Sequence, residues 1–354
     1  ALNNFLFFIL KGCKNSLKYL YLENNLIEVL NHQILQDLSN LKDIILSFNL
    51  IRKVNKYTFY NLSSLKTINL EYNCIELIEK YSFFKVEKLT YLNLANNYLT
   101  FLNDYIFSSL KSLNILKLNN NKIEKFSKHT FDGLNYLTIL SLNNNRLKSV
   151  GNYYFNQLFN LEELFLNNNQ ISVIEINSFK NLENLLKIDL NDNCLFRIQK
   201  NSFIYLKNLR ILILSVNEIN NMEIGSFNNL RKIEYLDLSS NKISYLKHGI
   251  FSDLIQLKYL NLAFNRIKHL REDSFSNLYS LNQLILESNK LKYLTFFNLN
   301  ISLNVLDLSN NFIECLVLGN KYNNSFFNSI SLNWNKNLSK ILFYNGFKEI
   351  TSIY

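Results

Sequence analysis

Leu113-Asn114-Ile115-Leu116-Lys117-Leu118-Asn119-Asn120-Asn121-Lys122-Ile123 is the stretch that decides the fold. Taking Leu113 as position 0, apolar residues fall at +3, +5 and +10, and Asn falls at +8. The same frame recurs every 24 residues from Leu17 to Leu281, then after a step of 22 at Leu303, and after another 24 at Phe327. The Asn column runs without a gap from Asn25, Asn49 and Asn73 through Asn121 and Asn169 to Asn311 and Asn335. A fixed period of this length is the mark of a stacked repeat array, which escapes the size limit on a single hydrophobic core.

Each column has a physical job. Positions +2 to +6 alternate outward and inward, which predicts a short strand with +3 and +5 facing the core. One strand per repeat, always returning the same way, predicts a parallel sheet on one face. Asn at +8 stands where the strand ends. Its amide is expected to be buried and to bond free backbone groups of its own turn and of the next one. At +18 stands an aromatic column, Phe59, Phe83, Phe107, Phe131, Phe155, Phe179, Phe203, Phe227, Phe251 and Phe275, predicted to stack as a spine. Leu62, Val86, Leu110, Leu134 and Leu158 at +21 close the inner ring. The segment between lacks a sustained helical period, so loops and single helical turns are expected there.

Composition agrees with a packed chain. Of 354 residues 48% are hydrophobic and 19% charged, which excludes a disordered polymer; Pro is absent and Trp occurs once. Asn reaches 61 residues, far above ordinary usage. The net charge of +10 admits nucleic acid, heparin-like glycans or acidic membranes as partners without choosing among them. No run approaches the roughly 18 apolar residues of a membrane span. Phe5–Leu10 is too short for a signal-peptide core and no basic residue precedes it, so residues 1–16 are read as the tail of a truncated repeat.

The pattern L-x-x-L-x-L-x-x-N-x-L-x-x-L-x-x-x-x-F-x-x-L resembles the leucine-rich repeat. Its 24-residue length and Phe at +18 are similar to the "typical" subclass found in Toll and Toll-like receptor ectodomains, chaoptin- and Slit-like adhesion proteins and small proteoglycans. The resemblance implies an α/β horseshoe solenoid with a parallel sheet on the concave face and loops or short helical turns on the convex face. It places about fourteen repeats over 17–340, one of 22 residues at 281–302, with 341–354 a degenerate continuation or flank. The Cys-rich caps of such arrays are absent, which suggests a fragment of something longer. The 22-residue step puts Leu299 and then Lys321 where Phe is expected, so an irregular convex segment is expected over about 317–326.

Catalytic and metal chemistry finds no material here: no Gly-rich phosphate loop, H-E-x-x-H or G-x-S-x-G occurs. His32, His129, His248 and His269 are isolated, and Cys13, Cys74, Cys194 and Cys315 stand too far apart in the array for a pairing. No enzyme activity, cofactor or metal is expected. Sequons for N-glycosylation stand at Asn61, Asn300, Asn323 and Asn337, but a chain this rich in Asn and Ser holds about seven by chance. Extracellular placement, secreted or as the ectodomain of a single-pass membrane protein, is therefore what the resemblance alone implies.

Recognition should be written on the outward strand positions. There seven basic residues face eleven acids, so the predicted sheet face is negative within a positive chain. That makes nucleic acid an unsuitable occupant of the concavity. Two stretches of the face are unusually apolar. One gathers Tyr19, Tyr21, Ile45, Phe48, Tyr72 and Tyr91; the other gathers Ile211, Ile213, Val216, Tyr235, Tyr259, Phe264 and Ile285. Exposed apolar clusters mark protein contacts, although strand propensity in a Phe/Ile/Tyr-rich chain also produces them. Lys242, Arg266 and Lys290 form a basic flank just after the Asn column, with Lys268 and Lys292 beside it. A solvated flank competes there with a site for an anionic glycan or duplex nucleic acid. The expected function, by a resemblance strongest to Toll-like innate-immune receptors, is a non-enzymatic recognition module of an extracellular receptor ectodomain, binding a protein ligand or co-receptor through the concave or lateral face around the second apolar stretch. The alternatives are a chaoptin- or Slit-like cell-adhesion or structural protein and a receptor for an anionic glycan or nucleic acid on the basic flank; a homodimer is a further expected partner state.

Overall fold

The computed structural model describes residues 13, 16–30, 32–36, 38–271, 273–296, 303–319 and 327–344. The chain divides into two compact units, one of Ala1–Ile171 with Asn177–Leu185, the other of Ser172–Ile176 with Leu186–Tyr354. Both are built from the predicted repeat.

In unit 1 the strands Tyr19–Tyr21, Asp43–Ile45, Thr67–Asn69, Tyr91–Asn93, Ile115–Lys117, Ile139–Ser141 and Glu163–Phe165 follow one another at 24-residue steps. Their pairing is parallel and in register, Tyr19 opposite Asp43, Asp43 opposite Thr67 and so on. In unit 2 the strands Lys187–Asp189, Ile211–Ile213, Tyr235–Asp237, Tyr259–Asn261, Gln283–Ile285, Leu303–Asp307 and Phe327–Ser331 do the same. The short step is absorbed without slippage, because Gln283 pairs with Val305 and Val305 with Ser329. Most of these strands are three residues long, with the middle residue buried and its neighbours partly exposed.

The Asn column does more than turn the chain. Asn121 Oδ1 accepts from the Leu99 N–H at 3.0 Å, while its Nδ2 donates to the carbonyls of Leu94 and Leu118 at 3.0 and 3.1 Å. One amide thus ties its own turn to the preceding repeat. The expected bond to the next repeat runs in the opposite sense, because the strand carbonyl that reaches this amide comes from the repeat before. Thirteen of the column's Asn residues are buried; Asn25 is exposed and, among the described residues, donates only to Leu22 and Glu23 of its own turn.

All ten Phe of the +18 column are buried. In unit 1 Phe59–Phe83 stack with centroids 5.6 Å apart, and Phe131–Phe155 lie 5.9 Å apart; in unit 2 Phe203–Phe227–Phe251–Phe275 continue at 6.3, 5.9 and 6.4 Å. The far side holds less helix than the α/β class implies: His32–Leu35 is the one α-helix among the described residues. Turns fill most of the rest, with a narrow second row of parallel strands. Lys53–Val54 pairs with Leu77–Ile78, Arg197–Ile198 with Asn221–Met222, and Tyr293–Phe296 with Cys315–Gly319 and then Lys340–Tyr344. The irregular segment expected from 317 is corrected accordingly: 317–319 belong to a strand, since alternating Leu316 and Leu318 bury against the core. Residues 320–326, Leu299, Asn300, Lys321 and Asn323 lie outside the described residues, as do nearly all of 1–16 and 345–354.

Candidate functional site

The outward residues of unit 2 form three parallel rows. The first, at +2, places Ile211, Tyr235 and Tyr259 on consecutive strands. Tyr235 and Tyr259 lie face to face, centroids 4.5 Å apart and planes 2° from parallel. The second row, at +4, contains Ile213 beside Asp237, and Ile285 beside Asn261 and Asp307. Asp189, Asp237, Asn261 and Asp307 here share one device: each side chain accepts the N–H two residues on, which fixes its rotamer.

The third row, at +7, carries Val216 and Phe264, exposed at 47% and 53%. Its backbone is left-handed in every repeat. Asn24, Asn96, Asn120, Asn144 and Asn168 hold φ of 55–56°, as that region favours. Val216 and Phe264 hold φ of 54°, although a β-branched or bulky residue is disfavoured there. All seven predicted residues therefore share one field on the sheet face of unit 2.

Burial and charge set the electrostatics of that field. Burial, the nearby Asp237 carboxylate and Tyr259 push the Tyr235 hydroxyl up to about 12. Burial likewise raises Tyr259, with Asp237 adding to it. Both phenols therefore stay neutral, with the hydroxyl as a hydrogen-bonding tip on a stacked apolar pair. Burial, reinforced by Asp307, raises Glu287.

The basic flank is partly neutralised. Lys242 pairs with Glu218, and Lys292 with Glu314 at 3.1 Å. Arg266, Lys268 and Lys290 are exposed and make no ion pair among the described residues.

In unit 1 Phe48 and Tyr72 occupy the same left-handed +7 row, stacked at 4.5 Å and about half exposed. Tyr19 and Tyr21 are exposed near them in sequence, while Ile45 and Tyr91 are partly covered. Asn61 and Asn337 are exposed, so both sequons that fall on described residues are accessible. All four cysteines are free thiols. Among the described residues no cluster of His, Cys, Asp and Glu is placed to hold a metal, and no helix is long and apolar enough to cross a membrane.

Sequence reasoning missed Trp334. It stands at +7 of the last described repeat with φ 62° and 75% exposure. The signal was available, because it is the chain's sole Trp and the +7 column otherwise favours Asn.

The leucine-rich repeat model matches seven overlapping windows from 39–99 to 236–291. The chain belongs to the leucine-rich repeat family. The fold of these repeats is a protein-interaction scaffold and in general not an enzymatic one. No curated protein matches it in sequence. Among solved structures it is similar to Drosophila Toll in its complex with Spatzle, with TM-score 0.81 and 23% identity, over 89% of this chain and 44% of that one. It is similar to TLR13 in complex with ssRNA13, with TM-score 0.59 and 25% identity, over 84% of this chain and 50% of that one. A leucine-rich repeat protein of Leptospira interrogans gives TM-score 0.72 and 25% identity, over 98% of this chain and 88% of that one. The chain thus spans half or less of the Toll and TLR13 chains it matches.

Proposed function

We propose that this chain is a recognition segment of an extracellular receptor that binds a protein ligand on the outward sheet face of unit 2. The observation that carries the reading is the field of Tyr235 and Tyr259 flanked by Val216 and Phe264. A stacked aromatic pair with hydroxyl tips supplies rigid contact area at low entropic cost, as in binding hot spots. Val216 and Phe264 hold large exposed apolar groups on a backbone that resists them. The likeness to Toll and TLR13, whose structures hold Spatzle and ssRNA13, supports an extracellular setting and a role in receptor signalling.

The test is a binding screen of the 354-residue chain against secreted and cell-surface proteins, followed by Tyr259→Ala/Phe264→Ala. The double variant should weaken the partner at least tenfold at both low and high salt, because apolar anchors are not screened. A partner that binds the variant like the parent would place the contact elsewhere.

Arg266, Lys268 and Lys290 support a second reading, an anionic glycan bound along the flank. Arg266→Glu/Lys290→Glu should then abolish heparin retention, and salt should abolish it in the parent. Retention unchanged by the charge reversals would discard this reading.

A further inference from the structure

We infer that unit 2 carries a second site, a groove between Glu287 and Trp334 that receives a sugar ring of an uncharged glycan. The groove is about 430 Å³ and is lined by Glu287, Ser309, Asn310, Asn333 and Trp334. It adjoins Phe264, whose N–H donates to the Glu287 carbonyl at 2.9 Å, but shares no lining residue with the Tyr235–Tyr259 pair.

Two independent observations point to a ligand. The first is Trp334 itself. At its position six other repeats use Asn, including the neighbouring Asn310, which holds φ 53° without penalty. Trp334 takes the same backbone at φ 62° and leaves 75% of its surface in water. Neither stability nor the chain's Asn-rich composition asks for an indole there, and no aromatic or cationic partner covers it among the described residues. Strain and exposure on one residue are the pattern of a contact kept for a ligand.

The second observation is the kind of polar group facing it. Asn310 Nδ2 donates to Ser288 Oγ at 2.8 Å, which fixes the amide and leaves its carbonyl oxygen as an acceptor. The Ser309 hydroxyl donates to Asp307 Oδ1 and keeps its own lone pairs. Asn333 adds an exposed amide, and Glu287 a carboxyl with no ion pair among the described residues. Among the described residues no cation lines the groove, so a phosphate or sulfate has nothing there to hold it. A quaternary ammonium would be drawn to Glu287 and the indole, yet its charged centre carries no N–H or O–H to bond the amide and hydroxyl oxygens. Burial and Asp307 also disfavour charge on Glu287, which weakens that attraction. A polyhydroxyl ring uses every group: its hydroxyls both donate and accept, and its apolar C–H face lies flat on the indole.

Because Trp334 is the chain's one tryptophan, its emission reports this groove directly. The 354-residue chain would be titrated with chitotriose, cellotriose and mannotriose, and with choline chloride and inorganic phosphate as charged probes. At least one trisaccharide should give a saturable change in Trp emission. Asn310→Ala and Glu287→Gln, each checked for native circular dichroism, should weaken it at least tenfold, while Tyr136→Ala, at an exposed position of unit 1, should bind as the parent does. Trp334→Phe, followed by calorimetry, should weaken the same sugar. The inference is overturned if no trisaccharide saturates, if binding survives both polar variants, or if only choline or only phosphate binds.

Discussion

Replacing Asn241 by Leu tests whether the Asn column holds neighbouring repeats together or only turns the chain. Asn241 is buried; it accepts from the Ile219 N–H at 2.9 Å and donates to the carbonyls of Leu214, Leu238 and Ser239 at 2.9, 3.1 and 3.0 Å. Leu fills a similar volume but supplies none of these bonds. The orphaned Ile219 amide costs about 1–3 kcal/mol, and the two buried leucine carbonyls roughly 1 kcal/mol each, since a carbonyl tolerates a lost partner better. The added apolar burial offsets about 1 kcal/mol of this, for a net loss of about 2–4 kcal/mol. Since 1.4 kcal/mol is tenfold, the Ile219 amide should exchange with deuterium about 30- to 1000-fold faster. Asn25→Leu is the internal control. Among the described residues Asn25, which is exposed, bonds only its own turn, so its replacement should cost under about 0.5 kcal/mol. Equal losses for the two variants, or unchanged exchange at Ile219, would refute the claim that inter-repeat bonding is what the column provides.

Phe155→Ala should cost about 3–5 kcal/mol in chemical denaturation, because a fully buried ring stacked on Phe131 is removed; a loss below about 1 kcal/mol would mean the spine is not packed. Val216→Asn should raise thermal stability by about 1 kcal/mol by relieving a β-branched residue at φ 54°, and no gain would show that the position carries no strain. Burial raises the Asp189 carboxyl above its ordinary value, only partly opposed by the Asn191 N–H, so stability is lost as pH rises from about 3.8 through the raised value. Asp189→Asn keeps that acceptor, as Asn69, Asn93 and Asn261 do, and should be more stable than the parent at pH 7 with the gain vanishing below pH 3.8; a gain independent of pH would point to another cause.

The fold was legible because each column answers a requirement that recurs at a fixed spacing. Leu116 and Leu118 must face inward, Asn121 must satisfy a turn, and Phe107 and Phe131 must meet across one repeat. The direction of the Asn bonds was not legible, since residue type fixes what an amide can bond but not which neighbour presents its carbonyl. The second row of strands was hidden for a similar reason: two-residue pairings such as Lys53–Val54 with Leu77–Ile78 are too short to carry a period. On the sheet face the seven apolar residues of unit 2 can be placed from the repeat alone, whereas Trp334 was missed. The conformations of the seven cannot, and neither can the pairing of Lys242 with Glu218, because an outward side chain is held by its neighbours rather than by the repeat.

Conformation separates two explanations that sequence leaves level for the apolar field. Strand propensity accounts for Tyr235 and Tyr259, because aromatic residues suit a pleated, half-buried surface and these two sit in strands. It cannot account for Val216, Phe264, Phe48, Tyr72 or Trp334, which lie past the strand on a left-handed backbone where β-formers are penalised. Drift toward the prevailing composition fails as well, since the prevailing residue of this chain is Asn and Asn is what the position accepts most readily. Each of the five pays twice, in backbone strain and in apolar surface left in water, at places where six other repeats avoid both. An array under pressure for stability alone would replace them. Val216 and Phe264 near a stacked tyrosine pair, and Trp334 at the edge of a polar groove, are what the proposed contact surfaces require.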